Sequence, residues 1–263
     1  MSQHTFTFMG TGSGCGIPAF FCDCPACEEA RKDPSVARGD CGVMIRGEKT
    51  LLIDTPPDIR HQLNREGIKS FDQLLYTHCH SDHVGGLLEL EYMVQLRTKC
   101  KLPTYASEIT IQQLAQEFDY MMYCLDVHAI EAYATVEFDG VRYTALPVRH
   151  APGTFGYLIE TDETRLFYAS DTGLLPDETK ERIAGCDILA MDATFWKRCW
   201  NPDAHHSVQE TIAEGFELGA KKIYLTHLAL HYDEPITSAE LDAYLEQYGG
   251  RVMQARDGMS FAI

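Results

Sequence analysis

Three histidines and one aspartate lie within six residues of this sequence, in Thr77-His78-Cys79-His80-Ser81-Asp82-His83. Imidazole and carboxylate groups are ligands for divalent ions such as zinc and manganese. Side chains two apart on an extended segment share a face. His78 and His80 are therefore expected to hold one ion, and the turn that follows would direct Asp82 and His83 toward a second. The segment predicts a pair of divalent metal ions.

A pair of ions needs further ligands, one of which bridges them. Each of three later candidates follows an apolar, strand-like run and is a potential ligand: His150, Asp171 and His227. Taken singly, each has an ordinary structural explanation, such as a surface histidine, a helix-capping aspartate or a core histidine with its hydrogen bonds satisfied. Their shared position after strands favours ligation, because a binding site is expected at the rim where strand ends converge.

A second group of metal-ligand side chains is formed by three cysteines within six residues, Cys22, Cys24 and Cys27. Three soft thiolates at this spacing favour a closed tetrahedral zinc site that needs one more ligand. The alternative is a loop of reduced thiols. The remaining seven of the ten cysteines are expected to be mostly buried thiols, because a chain of this length has no need of a disulfide framework.

The elements that must position these residues can be traced along the chain. Strand-like patterns cover 5–9, 50–53, 74–76, 143–148, 156–160, 166–169, 188–191 and 223–226. A glycine-rich turn occupies 10–16, and a helix is expected to open at 85–88. Helical periodicity at 207–218 and 238–248 predicts helices that cover the later strands. The expected architecture is α/β, with two sheets between layers of helices and the site on one rim.

Length and charge limit the class of protein. The chain has 263 residues, 45% of them apolar, which allows one domain over 1–263 with a large core. A net charge of −17 argues against broad attraction to nucleic acid or anionic lipid, so an anionic substrate must be caught locally. The N-terminal residues lack a signal-peptide pattern, and no run reaches membrane-spanning length, so we expect a cytoplasmic protein without a membrane partner. The sequence leaves a homodimer open.

The pattern His78-x-His80-x-Asp82-His83, with Asp54 upstream, resembles the metallo-β-lactamase superfamily across nearly the whole chain. The resemblance implies an αββα sandwich with Asp54 orienting the motif. It also implies one ion on His78, His80 and His150, another on Asp82, His83 and His227, and Asp171 as the bridge. A bridging carboxylate is typical of the branch that contains phosphodiesterases and tRNA 3′-processing nucleases. Two ions roughly 3.5–4 Å apart suit phosphodiester hydrolysis.

Further motifs look like the phosphodiesterase family of the carbon-phosphorus lyase pathway: Gly10-Thr11-Gly12, Gly16-Ile17-Pro18, Cys22-x-Cys24-x-x-Cys27, 154–158 and 170–172. This likeness implies a small cyclic phosphodiester substrate such as phosphoribosyl 1,2-cyclic phosphate, with zinc or manganese at the paired site. It also implies a structural zinc on the cysteines that is completed by His231. The family places that histidine three residues after the last catalytic one, whereas His231 follows His227 by four. Cys15 and Cys41 are alternatives for the fourth ligand.

A proton donor for the leaving oxygen is expected in 192–207. Asp192-Ala193-Thr194-Phe195 followed by His206-Ser207 resembles the acidic residue and histidine of the tRNA-processing branch. On that resemblance His206 is predicted to be the general acid, Asp192 its orienting partner and His205 the alternative acid. Lys197 and Arg198 could contact a phosphate or form a solvated charge pair.

Two other functions fit parts of the pattern. A tRNA 3′-processing nuclease would use the same ligands and the same acid, but it needs a basic surface for a large polyanion. A non-catalytic accessory protein of cofactor biosynthesis, similar to the pyrroloquinoline quinone-associated relative, would keep the fold and the cysteine site. The complete ligand set favours the phosphodiesterase.

Overall fold

Fourteen β-strands form two seven-stranded sheets in the computed structural model, which describes residues 4–197, 199–232 and 234–263. In chain order the strands are β1 (Thr5–Gly10), β2 (Gly42–Arg46), β3 (Thr50–Ile53), β4 (Gln73–Leu75), β5 (Leu102–Ala106), β6 (Leu125–Ala129), β7 (Thr135–Phe138), β8 (Val141–Pro147), β9 (Phe155–Glu160), β10 (Arg165–Ala169), β11 (Ile188–Asp192), β12 (Lys222–Thr226), β13 (Val252–Gln254) and β14 (Ser260–Ala262). The first sheet has the order β14-β1-β2-β3-β4-β5-β6, and the second has the order β13-β12-β11-β10-β9-β8-β7.

Apolar side chains from both sheets fill the space between them. Along β1, Phe6 and Phe8 face this inner core, whereas Met9 faces the outer side of the sheet, because successive side chains of a strand alternate. Phe6 lies 6.2 Å from Tyr168 of β10, and Phe8 lies 5.7 Å from Tyr224 of β12, measured between ring centroids. These aromatic contacts hold the two sheets face to face.

Helices cover the outer faces. Their bounds are α1 (Pro25–Lys32), α2 (Ile59–Arg65), α3 (Ser81–Val84), α4 (Leu90–Tyr92), α5 (Glu108–Glu117), α6 (Asp177–Ile183), α7 (Val208–Glu217) and α8 (Ser238–Leu245). Helices α2 and α5 pack on the first sheet through Ile59 and Leu114. Helices α1, α7 and α8 pack on the second through Ala26, Ile212 and Leu241. The result is the αββα sandwich that the sequence predicted.

The helix expected at 85–88 begins earlier and is irregular. Its first turn is α3, which starts at Ser81 inside the histidine motif, and 3-10 turns at Gly85–Glu89, α4 and a π-helical segment at Met93–Thr98 follow. Helix α7 begins where the sequence placed it, because Ser207 and Glu210 form a capping box. No helix among the described residues is long and apolar enough to cross a membrane.

Strand direction explains why the candidate ligands meet. Strands β3 and β4 run parallel, and so do β10, β11 and β12, so the carboxyl ends within each set share one edge of their sheet. Strand β8 is antiparallel to β9, which is antiparallel to β10, so β8 ends at that edge as well. The residues that follow these strands therefore converge on one rim of the sandwich.

Candidate active site

Asp54 fixes the histidine motif from behind. It follows β3 in the left-handed region at φ 67°, which is uncommon for a residue other than glycine. Its buried carboxylate accepts hydrogen bonds from the Thr77 backbone N–H at 2.8 Å, the Thr77 hydroxyl at 2.7 Å and His83 Nδ1 at 2.8 Å. His83 thereby keeps Nε2 on the opposite side of its ring, where the other ligands lie. This arrangement supports the orienting role predicted for Asp54.

His78, His80 and His150 form the first ligand group, with one potential ligand atom from each within 4.8 Å of the others. His80 Nδ1 lies 3.0 Å from His150 Nε2. The Nδ1 atoms of His78 and His150 contact other protein groups. His78 Nδ1 is 3.0 Å from the Thr77 hydroxyl, and His150 Nδ1 donates to the Ala204 carbonyl at 2.9 Å. Such outer hydrogen bonds set the tautomer and the ring orientation of a metal-binding histidine.

The second ligand group also has one potential ligand atom from each member within 4.8 Å of the others, and its members are Asp82, His83, Asp171 and His227. The Nε2 atoms of His83 and His227 lie 3.0 and 3.1 Å from the Asp171 carboxylate, and each lies 3.5 Å from Asp82 Oδ2. His227 Nδ1 hydrogen-bonds to the Thr194 hydroxyl at 2.8 Å. Like Asp54, His227 follows a strand with a positive φ, 55°.

Asp171 lies between the two groups. One carboxylate oxygen, Oδ2, faces His83, while Oδ1 faces His227 and also lies 3.8 Å from His150 Nε2 in the first group. A carboxylate in this place can contribute an oxygen to each of two ions. The geometry thus favours the bridging role that the resemblance implied.

The chemistry of these donors fits metal ions. Among the described residues, several buried atoms that point into the groups have no partner in hydrogen-bond geometry: His78 Nε2, His83 Nε2, His227 Nε2 and Asp171 Oδ2. Leaving one buried polar group unsatisfied costs about 1–3 kcal/mol, so four converging ones indicate a ligand. Burial lowers the pKa of His78 well below its usual value, which keeps this imidazole in the neutral form that binds metal. The described His and Asp clusters therefore fit a metal site.

The geometry of its side chain argues against His206 as the proton donor that the sequence predicted. His206 is buried behind the site, with Nδ1 donating to the Thr172 carbonyl at 2.8 Å and Nε2 3.1 Å from Glu214 Oε2. Lys180 lies 2.8 Å from the other oxygen of Glu214. Both ring nitrogens thus face protein groups away from the cleft, and Nδ1 links the ring to the residue after Asp171.

His205, the alternative acid, lies at the cleft instead. Its Nδ1 is 2.7 Å from Asp192 Oδ2, and its ring stacks on His227 at 5.4 Å between centroids. Asp192 is fully buried and also accepts hydrogen bonds from Thr194 and from the Thr172 backbone. The orienting role predicted for Asp192 therefore acts on the side chain of His205 and not on that of His206.

Lys197 forms an exposed ion pair with Glu234 at 2.9 Å, which matches the solvated-pair alternative. Arg198 lies outside the described residues.

The cysteine cluster lies at the start of α1. The three sulfurs of Cys22, Cys24 and Cys27 lie within 4.8 Å of one another. His231 Nδ1 is 3.9 Å from the Cys27 sulfur, and its Nε2 is 3.2 Å from that of Cys15. Cys41 is buried elsewhere, next to the Thr226 hydroxyl. Of the three candidates for a fourth ligand, His231 and Cys15 lie beside the cysteine cluster and Cys41 does not.

We expect Cys24→Ser to lose one zinc ion per chain and to lower the melting temperature while the paired-metal ligands stay intact. A structural zinc stabilises the loop that carries its ligands, and each kcal/mol lost lowers the Tm of a domain of this size by about 2–4 °C. Zinc analysis and thermal unfolding provide the measurements. Cys100→Ser is the matched control because Cys100 is exposed. An unchanged zinc content and an unchanged Tm in Cys24→Ser would favour a loop of free thiols.

A cleft of about 470 Å³ opens over the two ligand groups. Besides the ligands, its walls are formed by His205 and by aromatic and small polar side chains, among them Ser13, Thr194, Phe195, Trp200, Asn201 and Tyr232. The aromatic residues of this wall carry no motif that predicts a role from the sequence. The feature that could have pointed to them is their position near His205 and His227, in loops that lead to the rim.

A family model described as the beta-lactamase superfamily domain matches residues 49–228, more than half of the chain. This chain belongs to the metallo-β-lactamase superfamily. The matched segment contains all the proposed ligands of the paired site, from His78 to His227. The fold and the family predicted from the histidine motif are thereby confirmed.

Solved structures extend the likeness. The crystal structure of a new diphosphatase from the PhnP family is 30% identical, with a TM-score of 0.85 and coverage of 99% of this chain and 97% of that one. Zinc-bound PqqB from Methylobacterium extorquens is 21% identical, with a TM-score of 0.71 and coverage of 98% and 100%. The short form of human tRNase Z is 18% identical, with a TM-score of 0.70 and coverage of 98% and 99%. The last two show the fold alone.

A curated relative, an octanoyltransferase from Porphyromonas gingivalis, is 25% identical over 235 residues that cover 85% of this chain. The same alignment covers 45% of that protein, so the chain spans less than half of its length.

Proposed function

We propose that the protein is a dinuclear-metal-dependent phosphodiesterase that acts on a small phosphodiester, with phosphoribosyl 1,2-cyclic phosphate as the specific candidate. The observation that carries this proposal is the carboxylate of Asp171, which lies between a three-histidine group and a group of Asp82, His83 and His227. A site with room for two adjoining ions suits a phosphoryl centre, where both the attacking and the leaving oxygen need stabilisation.

The first ion would be held by His78, His80 and His150, and the second by Asp82, His83 and His227, with Asp171 shared. Divalent ions bound there would supply Lewis-acid activation of a phosphoryl oxygen and of a water molecule. His205 would hold a proton for the leaving oxygen on the ring nitrogen that Asp192 does not engage. Asp192 keeps that ring in place, since its other hydrogen bonds anchor it to the backbone around Asp171.

The similarity to a diphosphatase of the PhnP family at 30% identity supports a substrate that contains a phosphoryl ester or anhydride. Two alternatives are less well supported. A tRNA-processing nuclease must bind a large polyanion, and this chain carries a net charge of −17. An accessory protein without catalysis has no need of a complete ligand set together with an oriented histidine at an open cleft.

A substrate panel tests the proposal. Metal-free protein is reloaded with zinc or manganese and assayed with phosphoribosyl 1,2-cyclic phosphate, nucleoside cyclic phosphates, linear aryl phosphodiesters and precursor tRNA. We expect turnover of the small phosphodiesters that requires both catalytic ions. Turnover of precursor tRNA alone would favour the nuclease. No turnover of any substrate, with metal retained only at the cysteines, would favour the accessory protein.

A further inference from the structure

Three aromatic side chains form a continuous wall from the metal-ligand groups to the mouth of the cleft. Phe195 lies next to the site, 6.1 Å from the His205 ring, and Trp200 packs on it at 4.8 Å between centroids. Tyr232 lies 5.8 Å from Phe195 and 6.1 Å from Trp200. All three line the cleft. We call Phe195, Trp200 and Tyr232 the aromatic wall.

Trp200 is the outermost member and is 56% exposed, whereas Phe195 behind it is 3% exposed. A tryptophan side chain buries a large apolar area in most folded proteins. Here the indole is supported from one side by buried Phe195 and remains open toward the cleft. An indole in this position is a platform for a flat group of a ligand.

The charge of the cleft restricts that group. Among the described residues that line it, none is Lys or Arg, and the side chains beyond the ligand groups are aromatic or neutral, including Asn201 and Ser13. With the phosphoryl group at the metal ligands, a neutral and planar part of the substrate would suit these lining side chains. A nucleobase has this chemistry, since its faces stack on aromatic rings.

We propose that Trp200 stacks on the nucleobase of the substrate, so that the site takes a phosphodiester of mononucleotide size. The cleft volume of about 470 Å³ lies within the range for small-molecule sites. A polynucleotide fits less well because of the chain's charge of −17. The identity of the substrate as a phosphodiester rests on the proposed function, whereas base stacking does not. Within the small phosphodiesters of the proposed function, the aromatic wall favours a nucleotide over phosphoribosyl 1,2-cyclic phosphate, which carries no base.

Binding measurements test this proposal without turnover. The chain has two tryptophans, and Trp196 packs against Tyr244 away from the cleft. In metal-loaded Trp196→Phe, Trp200 is therefore the sole tryptophan fluorophore. We expect adenosine monophosphate to quench its fluorescence and to bind roughly 10-fold tighter than ribose 5-phosphate, which has the same phosphate and no base. Calorimetry on Trp200→Leu, which keeps apolar bulk but no ring, should show that preference lost. Trp200→Phe should retain most of it.

Equal affinities for the two phosphates in the wild type, or an unchanged preference in Trp200→Leu, would overturn the stacking role. A base-dependent preference that disappears in Trp200→Leu and returns in Trp200→Phe supports it, even if no phosphodiester of the panel is hydrolysed. In that case the proposed function fails and base recognition stands. If phosphodiesters are hydrolysed but binding does not depend on the base, the proposed function stands and base recognition fails.

Discussion

Asp171→Ala is expected to abolish turnover and to reduce the catalytic metal from a pair of ions to a single ion or none. Asp171 faces His83 and His227 with different oxygens and also lies near His150, so its removal separates the two ligand groups. Burial opposes ionisation of this carboxyl, but the neighbouring His227 and His83 outweigh it and hold its pKa well below the usual value. The variant thus also removes a negative charge that the site requires.

Metal analysis by mass spectrometry and phosphodiesterase assays on the folded variant decide the outcome. Asp162→Ala is the matched control, since Asp162 is an exposed carboxylate in the turn between β9 and β10. Asp171→Asn separates shape from charge, because the amide keeps the volume and loses the anion. If Asp171→Ala keeps wild-type turnover with both ions bound, the carboxylate does not bridge.

Much of the fold could be predicted because strands at the centre of each sheet carry strong local signals. The buried runs that became β3, β8, β10, β11 and β12 are apolar, and each ends at a residue of the site or within three residues of one. The short edge strands β13 and β14 were missed, since three residues at a sheet edge show little periodicity. Strands β2, β5, β6 and β7 were missed as well. Each of these depends on pairing with a neighbour more than on its own sequence.

The site was predictable where one short segment carries several ligands and was not where a role depends on side-chain direction. His205 and His206 are adjacent, and residues next to each other on an extended segment point to opposite sides. Phe195 pairs with Ser207 in an isolated bridge, and of the two histidines before Ser207, His205 lines the cleft whereas His206 is buried. A sequence shows that one of the two faces the substrate but not which. The partner of His206, Glu214, comes from α7 and could not be anticipated.

The structure predicts opposite phenotypes for these adjacent histidines. His205→Ala should retain both catalytic ions but lose roughly 100-fold to 10,000-fold in activity on phosphodiesters with poor alkoxide leaving groups, the usual range for a general acid. It should lose much less on an activated aryl phosphodiester, because a stabilised aryloxide departs with little protonation. Asp192→Asn should show the same dependence on the leaving group, since Asp192 acts through the His205 ring.

His206→Ala should instead lower stability and leave the dependence on the leaving group unchanged. Its removal deprives the buried carboxylate of Glu214 of one partner and frees the Thr172 carbonyl, a loss of about 1–3 kcal/mol. Thermal unfolding measures the loss of stability. Rate constants across a series of leaving groups of increasing basicity measure the dependence on the leaving group. If the dependence of the rate constant on leaving-group basicity steepens in His206→Ala and not in His205→Ala, the general acid is His206. Loss of a catalytic ion in His205→Ala would instead identify His205 as a metal ligand. A potential ligand atom of His205 lies within 4.8 Å of such atoms from Asp171 and His227.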